Sequence, residues 1–467
     1  MIYTSLKFLI FYFIVVFLYY YFIKPMHRSY YLLFTSSVYY ILYSSKYFLL
    51  LLCVLFVTFA FAYYIDKYKY DDHIKKWFLC TYLILIISFL VVFKYNKLLN
   101  ILFSVGVFEE KVLPLGISFY VFTAISYIVD IYSDKEKKES NILFFATHLM
   151  LFTKIAAGPI VKASDLIPQL KEEILFNKEL FRKGYFRVIY GFGLKLIIAD
   201  RAAIIINSIY DNFKSYNGLY LFVAACLYSI QIYCDFAGYS YIAIGLSNIL
   251  GLEIKTNFNR PYLAQNAKDF WKRWHISLST WLRDYIYIPL GGSRKGGARQ
   301  KINIMITMLV SGVWHGNTLN YIVWGIFHGL WQIVCPVKNS NSLIHRFLRV
   351  ATNFIAITFG WVFFRIVNIY DAFYILFSII DIRKWQYNIK ITSLGLDREN
   401  NMLLICSIVL LFVIEYICEK KESVLNKVIR LPGICRYFFI VTLVSLILLF
   451  GIWGPAYDSA SFIYVDF

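Results

Sequence analysis

Three histidines stand where an uncharged base would be useful. His315 and His328 fall inside residues 302–337, a run of 36 residues without one formal charge. Neutral imidazole titrates near physiological pH, and desolvation keeps it uncharged and able to take a proton from a hydroxyl or thiol. Ionisable groups at membrane depth are costly and face a bundle interior or a wet path, which makes His315, in Trp314-His315-Gly316, the first candidate for chemistry. His328 follows 13 residues later, in Trp324-Gly325-Ile326-Phe327-His328-Gly329, as a supporting candidate. His275 sits in the basic stretch Phe270-Trp271-Lys272-Arg273-Trp274-His275-Ile276-Ser277, where Arg273 and Trp274 are candidates for contact with substrate. The competing readings are a ring hydrogen-bonded only for packing at His315, a structural role at His328 and a surface or structural histidine at His275. Asp235 is the single charge in residues 219–252 and needs either an ion partner or a water-filled pocket.

These residues must be carried by membrane helices. The chain of 467 residues is 60% hydrophobic, 20% aromatic and only 16% charged, a balance that excludes an ordinary soluble enzyme and excludes disorder. A bilayer core about 30 Å thick takes roughly 20 apolar residues as a helix. Apolar runs of varied length predict an all-α, polytopic protein with 10 to 13 membrane segments, some of them re-entrant. The first run, 8–23, ends in aromatic residues without the small residues of a signal-peptidase site, and is expected to be a retained span. Gly316-Asn317-Thr318 predicts a helix break. If the preceding helix starts where charge ends, at Ile302, it has about 14 residues and roughly 21 Å, too short to cross alone, so His315 is expected at depth.

The formal net charge of +19 has an ordinary explanation in the positive-inside rule, and it does not imply nucleic acid. Its distribution is more informative. Residues 254–301 hold ten Lys or Arg against two acids, interleaved with aromatics, and predict one or two interfacial helices ending at Pro289-Leu290-Gly291-Gly292. Such a surface suits anionic lipid, or the rim of a cavity that admits an anionic donor such as a phosphopantetheine or coenzyme A. No CxxC pair, HExxH helix, GxSxG elbow or GxxxxGK[ST] loop occurs, so no metal site, bound cofactor or soluble-type acyl-transfer triad is expected.

Several unusual stretches then occur in one order. Gly116-Ile117-Ser118-Phe119-Tyr120, Ala157-Gly158-Pro159-Ile160, Ala199-Asp200-Arg201 and Asp235-Phe236-Ala237-Gly238-Tyr239-Ser240 come first. Asn259-Arg260-Pro261-Tyr262, Phe270 to Trp281, Arg283-Asp284-Tyr285 and Ile288 to Gly292 follow, and then the two histidine stretches already quoted. Together they resemble the signature of membrane-bound O-acyltransferases. The likeness is to the bacterial branch with the alginate O-acetylase membrane subunit, peptidoglycan O-acetyltransferases and the D-alanyl transferase of teichoic acids.

The resemblance implies a helical ring with short and re-entrant helices around a central funnel. It maps the family's histidine at the funnel floor onto His315 and a second one onto His275. It implies a core at 112–367, containing the interfacial segment 254–301, between N-terminal helices at 1–111 and C-terminal helices with an aromatic tail at 368–467. In that tail, Ser461 to Phe467, the resemblance suggests Tyr464 as an acyl relay; an interfacial aromatic anchor is the alternative.

The expected function is transfer of an acyl group, foremost acetyl, from a cytoplasmic thioester to an extracytoplasmic polysaccharide, with His315 as base. The donor would be acetyl-coenzyme A or a carrier-protein thioester. Expected partners are an extracytoplasmic acyltransferase, membrane lipids and an acyl carrier protein, in a bacterial cell membrane. D-alanyl transfer to teichoic acid is the near alternative. A transporter and a non-catalytic scaffold of a glycan-modifying complex are the distant ones.

Overall fold

The computed structural model describes residues 3–96, 113–335, 342–386, 394–420 and 424–453. Across them the chain is all-α, with no strand. In chain order the helices are α1 (Leu6–Tyr21), α2 (Arg28–Ser44), α3 (Phe48–Lys67), α4 (Asp72–Lys94), α5 (Ile117–Tyr132), α6 (Ile142–Met150), α7 (Ala163–Lys171), α8 (Lys178–Gly193), α9 (Asp200–Tyr210) and α10 (Gly218–Ile249). There follow α11 (Ala267–Arg273), α12 (Ile276–Leu282), α13 (Gly297–His315), α14 (Leu319–Val334), α15 (Leu343–Arg365), α16 (Ile369–Ile380), α17 (Arg398–Lys420), α18 (Val424–Ile429) and α19 (Gly433–Phe450).

Six helical stretches among the described residues are long and apolar enough to cross a membrane: Pro25–Lys67, Asp72–Lys94, Gly218–Ile249, Leu343–Arg365, Arg398–Lys420 and Gly433–Phe450. Three shorter apolar helices, α1, α5 and α16, add to them. The chain is a multi-pass, all-α membrane protein.

Its residues group into two compact units. The first unit takes the described residues up to 188 and residues 239–256. Part of the tyrosine surplus has a structural use here. Tyr12 and Tyr19, two turns apart on α1, donate their hydroxyls to the carbonyls of Leu246 and Leu250, each at 2.7 Å, and Tyr20 donates to Ile249 at 2.5 Å. The last carbonyls of a helix have no amide partner within it, and apolar surroundings supply none, so phenolic donors close the end of α10.

The second unit takes residues 189–238 and the described residues from 257 onward. A π-helical turn, Leu194–Ala199, leads into α9 and points Lys195 between two acids. The Lys195 ammonium lies 2.9 Å from Asp200 and 2.6 Å from Asp235, all three side chains buried. Asp235 thus has an ion partner, one of the two settings its sequence position allowed.

Between α10 and α13 the basic segment folds as α11 and α12, followed by a second π-helical turn, Arg283–Tyr287. Asn266 caps α11 by accepting the amide of Asp269 at 2.8 Å. In α13 the sequence-based start is corrected. The helix begins at Gly297, five residues before the charge-free run, because Arg299 and Lys301 are good helix formers that stay exposed in its first turns. The helix therefore has 19 residues, about 28 Å, rather than 14. Its end agrees with expectation: α13 stops at His315, and α14 starts at Leu319 after the Gly316-Asn317-Thr318 break.

Candidate active site

α13 and α14 form a tight antiparallel hairpin, and its closeness depends on missing side chains. A Cβ on Gly312 would stand 2.2 Å from the Tyr321 carbonyl oxygen, and one on Gly325 2.6 Å from that of Met308. Neither distance is tolerable, so the two backbones can approach only with glycine at both positions. That approach brings the end of α13 against the first two turns of α14, at Tyr321 and Trp324.

The result is an aromatic cluster around two imidazoles. His315, only 2% exposed, meets Trp324 edge-on at 5.0 Å between ring centroids and Phe364 at 5.1 Å, with neighbouring Trp314 at 4.7 Å. On the other side of the contact, Trp324 meets His328 at 4.8 Å. His328 is fully buried and also contacts Trp271 of α11 at 5.2 Å. Neither ring nitrogen of His328 has a hydrogen-bond partner among the described residues, and the same is true of the indole nitrogens of Trp271 and Trp324. An unpaired buried polar group costs about 1–3 kcal/mol, so several in one cluster of touching rings call for an explanation beyond packing.

A second set of rings leads away from this cluster. Trp361 of α15 stacks near Trp324 at 6.0 Å and contacts Trp274 at 4.9 Å, while its indole donates to the Tyr262 hydroxyl at 3.2 Å. Tyr262 in turn donates to the Ser229 carbonyl at 2.5 Å. Thus Trp361 joins Trp274, the residue before His275, to the ring that separates His315 from His328.

His275 lies at the kink between α11 and α12. Its φ of +41° is unusual for a residue with a side chain and is held by local pairing. The amide of Ile276 donates to the Asn257 carbonyl at 2.8 Å, and that of Asn259 to the Arg273 carbonyl at 2.9 Å. The His275 ring, 1% exposed, packs edge-on against Phe236 at 4.7 Å. Burial pushes its pKa down to about 3, so the ring is neutral at physiological pH.

The other candidates have different placements. Arg273 is held by acids: its Nε reaches Asp269 at 2.8 Å, and its two terminal nitrogens grip Glu419 of α17 at 3.0 Å each. Arg260 joins the same carboxylate at 3.2 Å. Arg273 is therefore a clamp between α11 and α17, and Asp235 is one member of the Lys195 ion triad. Lys268, Lys272, Arg283, Arg294, Lys295, Arg299 and Lys301 are exposed, as an interfacial basic surface would be. Tyr464 lies outside the described residues. Trp361 and Asn257 were not singled out by sequence reasoning; Trp361 stands 90 residues from Trp271, and no spacing rule links them.

The membrane-bound O-acyltransferase family profile matches residues 39–372, which hold all three histidines and both rings between them. The chain belongs to that family. Among curated proteins it is similar to "Probable alginate O-acetylase AlgI" of Pseudomonas putida, 37% identical over 282 residues, covering 60% of this chain and 58% of the relative. It is similar to a peptidoglycan O-acetyltransferase of Helicobacter pylori, 31% identical over 338 residues, 65% of this chain and 64% of the relative. A teichoic acid D-alanyltransferase of Bacillus subtilis matches at 31% over 231 residues, 46% and 57%. The chain thus spans little more than half the length of the alginate O-acetylases it matches. Family membership places the histidine cluster inside the shared region and leaves Tyr464 outside it.

Proposed function

We propose that the chain is a membrane O-acyltransferase that takes an acetyl group from a cytoplasmic thioester for O-acylation of an extracytoplasmic polysaccharide. The observation that carries this reading is the buried imidazole of His315 at the broken end of α13, in a cluster that also holds unpaired polar atoms, within a family-matching region. His315 takes the proton of the acceptor hydroxyl as its oxygen attacks the thioester carbonyl. The tetrahedral oxyanion collapses, the C–S bond breaks, and the departing thiolate takes up the proton from the imidazolium. A thioester is already activated, so positioning, proton removal and oxyanion stabilisation are the protein's whole task.

His275 lines the site in this reading, and His328 with Trp271, Trp324 and Trp274 shapes the pocket for the reacting group. The exposed cations of the interfacial segment suit an anionic donor, acetyl-coenzyme A or a phosphopantetheine carrier protein. Lipid headgroups would meet the same surface. The bacterial relatives support a bacterial cell membrane. In this reading an extracytoplasmic acyltransferase partner completes transfer to the glycan, with Tyr464 as a relay on the outer side. Acetyl is favoured over D-alanyl because the O-acetylase relatives match more of the chain.

Mass spectrometry of surface glycans from cells with and without the gene tests the reading. Loss of O-acetyl groups on deletion, restored by the wild-type gene, is expected. Loss of D-alanyl esters instead would move the chain to the alternative, and unchanged acylation would remove both.

A further inference from the structure

We infer that Asn257 is a positioning residue that holds His275 as its Nδ1–H tautomer, so that Nε2 presents the lone pair to the reacting groups. The inference deepens the proposed function and rests on it for the placement of His275 beside substrate.

The tautomer follows from one atom that can only accept. Asn257, 1% exposed, faces the backbone amide of Ser277 at 3.0 Å. A backbone N–H can only donate, so the side-chain atom of Asn257 that meets it is the carbonyl oxygen Oδ1, and the orientation of the amide is fixed. His275 Nδ1 lies 3.3 Å from that same Oδ1. An oxygen with no hydrogen to give requires a donor opposite it, so Nδ1 carries the proton. Neutral imidazole has one N–H, and the proton at Nδ1 leaves Nε2 as the acceptor. The Ser277 hydroxyl is farther, at 3.5 Å from Nδ1, and is the weaker competitor. Burial opposes a second proton on the ring, as the depressed pKa of about 3 describes.

The surrounding backbone makes the arrangement stiff. Asn257 pairs through its own carbonyl with Ile276, and its side chain holds Ser277, so one residue brackets His275 from the following side. Asn259 and Arg273 close the pairing on the preceding side. Phe236 limits rotation of the ring. An imidazole oriented through one nitrogen by a fixed acceptor is the arrangement that sets which nitrogen carries the lone pair. With Nε2 unprotonated, His275 can accept a proton from a hydroxyl or thiol, but in its neutral form it cannot donate to an oxyanion from that nitrogen.

The test is magic-angle-spinning NMR of the full chain in lipid, with 15N-labelled histidine and the His275 signals identified by their loss in His275→Gln. The wild type is expected to show protonated Nδ1 and unprotonated Nε2 at pH 7. Asn257→Leu should mix the tautomers and lower kcat for acyl transfer about 10- to 100-fold with KM unchanged, and Asn257→Asp, which keeps the acceptor, should restore most of both. A wild-type ring protonated at Nε2 overturns the inference, as does Asn257→Leu with tautomer and kcat unaltered. If His275→Gln keeps full transfer while the wild-type ring is Nδ1–H, the tautomer stands and the functional placement of His275 fails.

Discussion

His328 and His275 are equally buried but differently surrounded. At the α13–α14 hairpin, His328 is packed among rings, and its nitrogens and those of two adjacent indoles find no partner among the described residues. At the α11–α12 kink, His275 packs against Phe236 but is also set among hydrogen-bonding and ion-pairing groups: Asn257 at the ring, paired amides on both sides, and Glu419 gripping Arg273 two residues earlier. The first region carries polar groups whose cost is not recovered by the fold, which is the pattern expected where a ligand supplies the missing partners. The second region uses its polar groups to hold shape.

Four substitutions or conditions should separate the two regions by stability. The largest effect is expected from Gly325→Ala, where the new methyl meets the Met308 carbonyl and forces the hairpin apart; unfolding in detergent should show a loss of about 3 kcal/mol. Acidification should act on the kink next. The folded His275 has a pKa of about 3 against 6.5 when free, so between these values the unfolded chain binds a proton that the native one does not. The contribution of His275 to stability therefore falls as pH drops below 6.5, by about 2 kcal/mol at pH 5, and His275→Gln should remove that contribution from the pH profile.

Glu419→Gln leaves Arg273 only Asp269 and should cost about 1 kcal/mol, because the pair is partly exposed. The smallest stability change belongs to His328→Phe. Replacing a buried ring whose nitrogens are unpaired by an apolar ring should leave stability level or raise it by up to about 1 kcal/mol, while acyl transfer falls. Loss of more than about 2 kcal/mol there would make His328 a packing residue like any other, and the contrast would disappear.

Much of this was legible from sequence, for reasons that can be named. Gly316-Asn317-Thr318 ends α13 because the pattern of breakers is local, and Asp235 required either an ion partner or a water-filled pocket because a lone charge in an apolar helix is costly; the Lys195 ammonium is that partner. The start of α13 is not legible from the loss of charge at Ile302, because exposed Arg299 and Lys301 extend the helix upstream to Gly297. Arg273 stood out as a cation beside aromatics, but its carboxylate partner, Glu419, lies 146 residues away. Asn257 and Trp361 are ordinary residues until the fold brings them to His275 and Trp324. Pairing over such distances is set by packing, which no spacing along the chain reveals.

The central claim is that His315 performs chemistry. Release of thiol from a labelled acetyl thioester by the purified chain in lipid nanodiscs, with a glycan acceptor present, measures it directly when wild type and His315→Gln are compared at equal thermal stability. The variant is expected to lose about a thousandfold in rate. A variant that releases thiol at the wild-type rate would contradict the assignment.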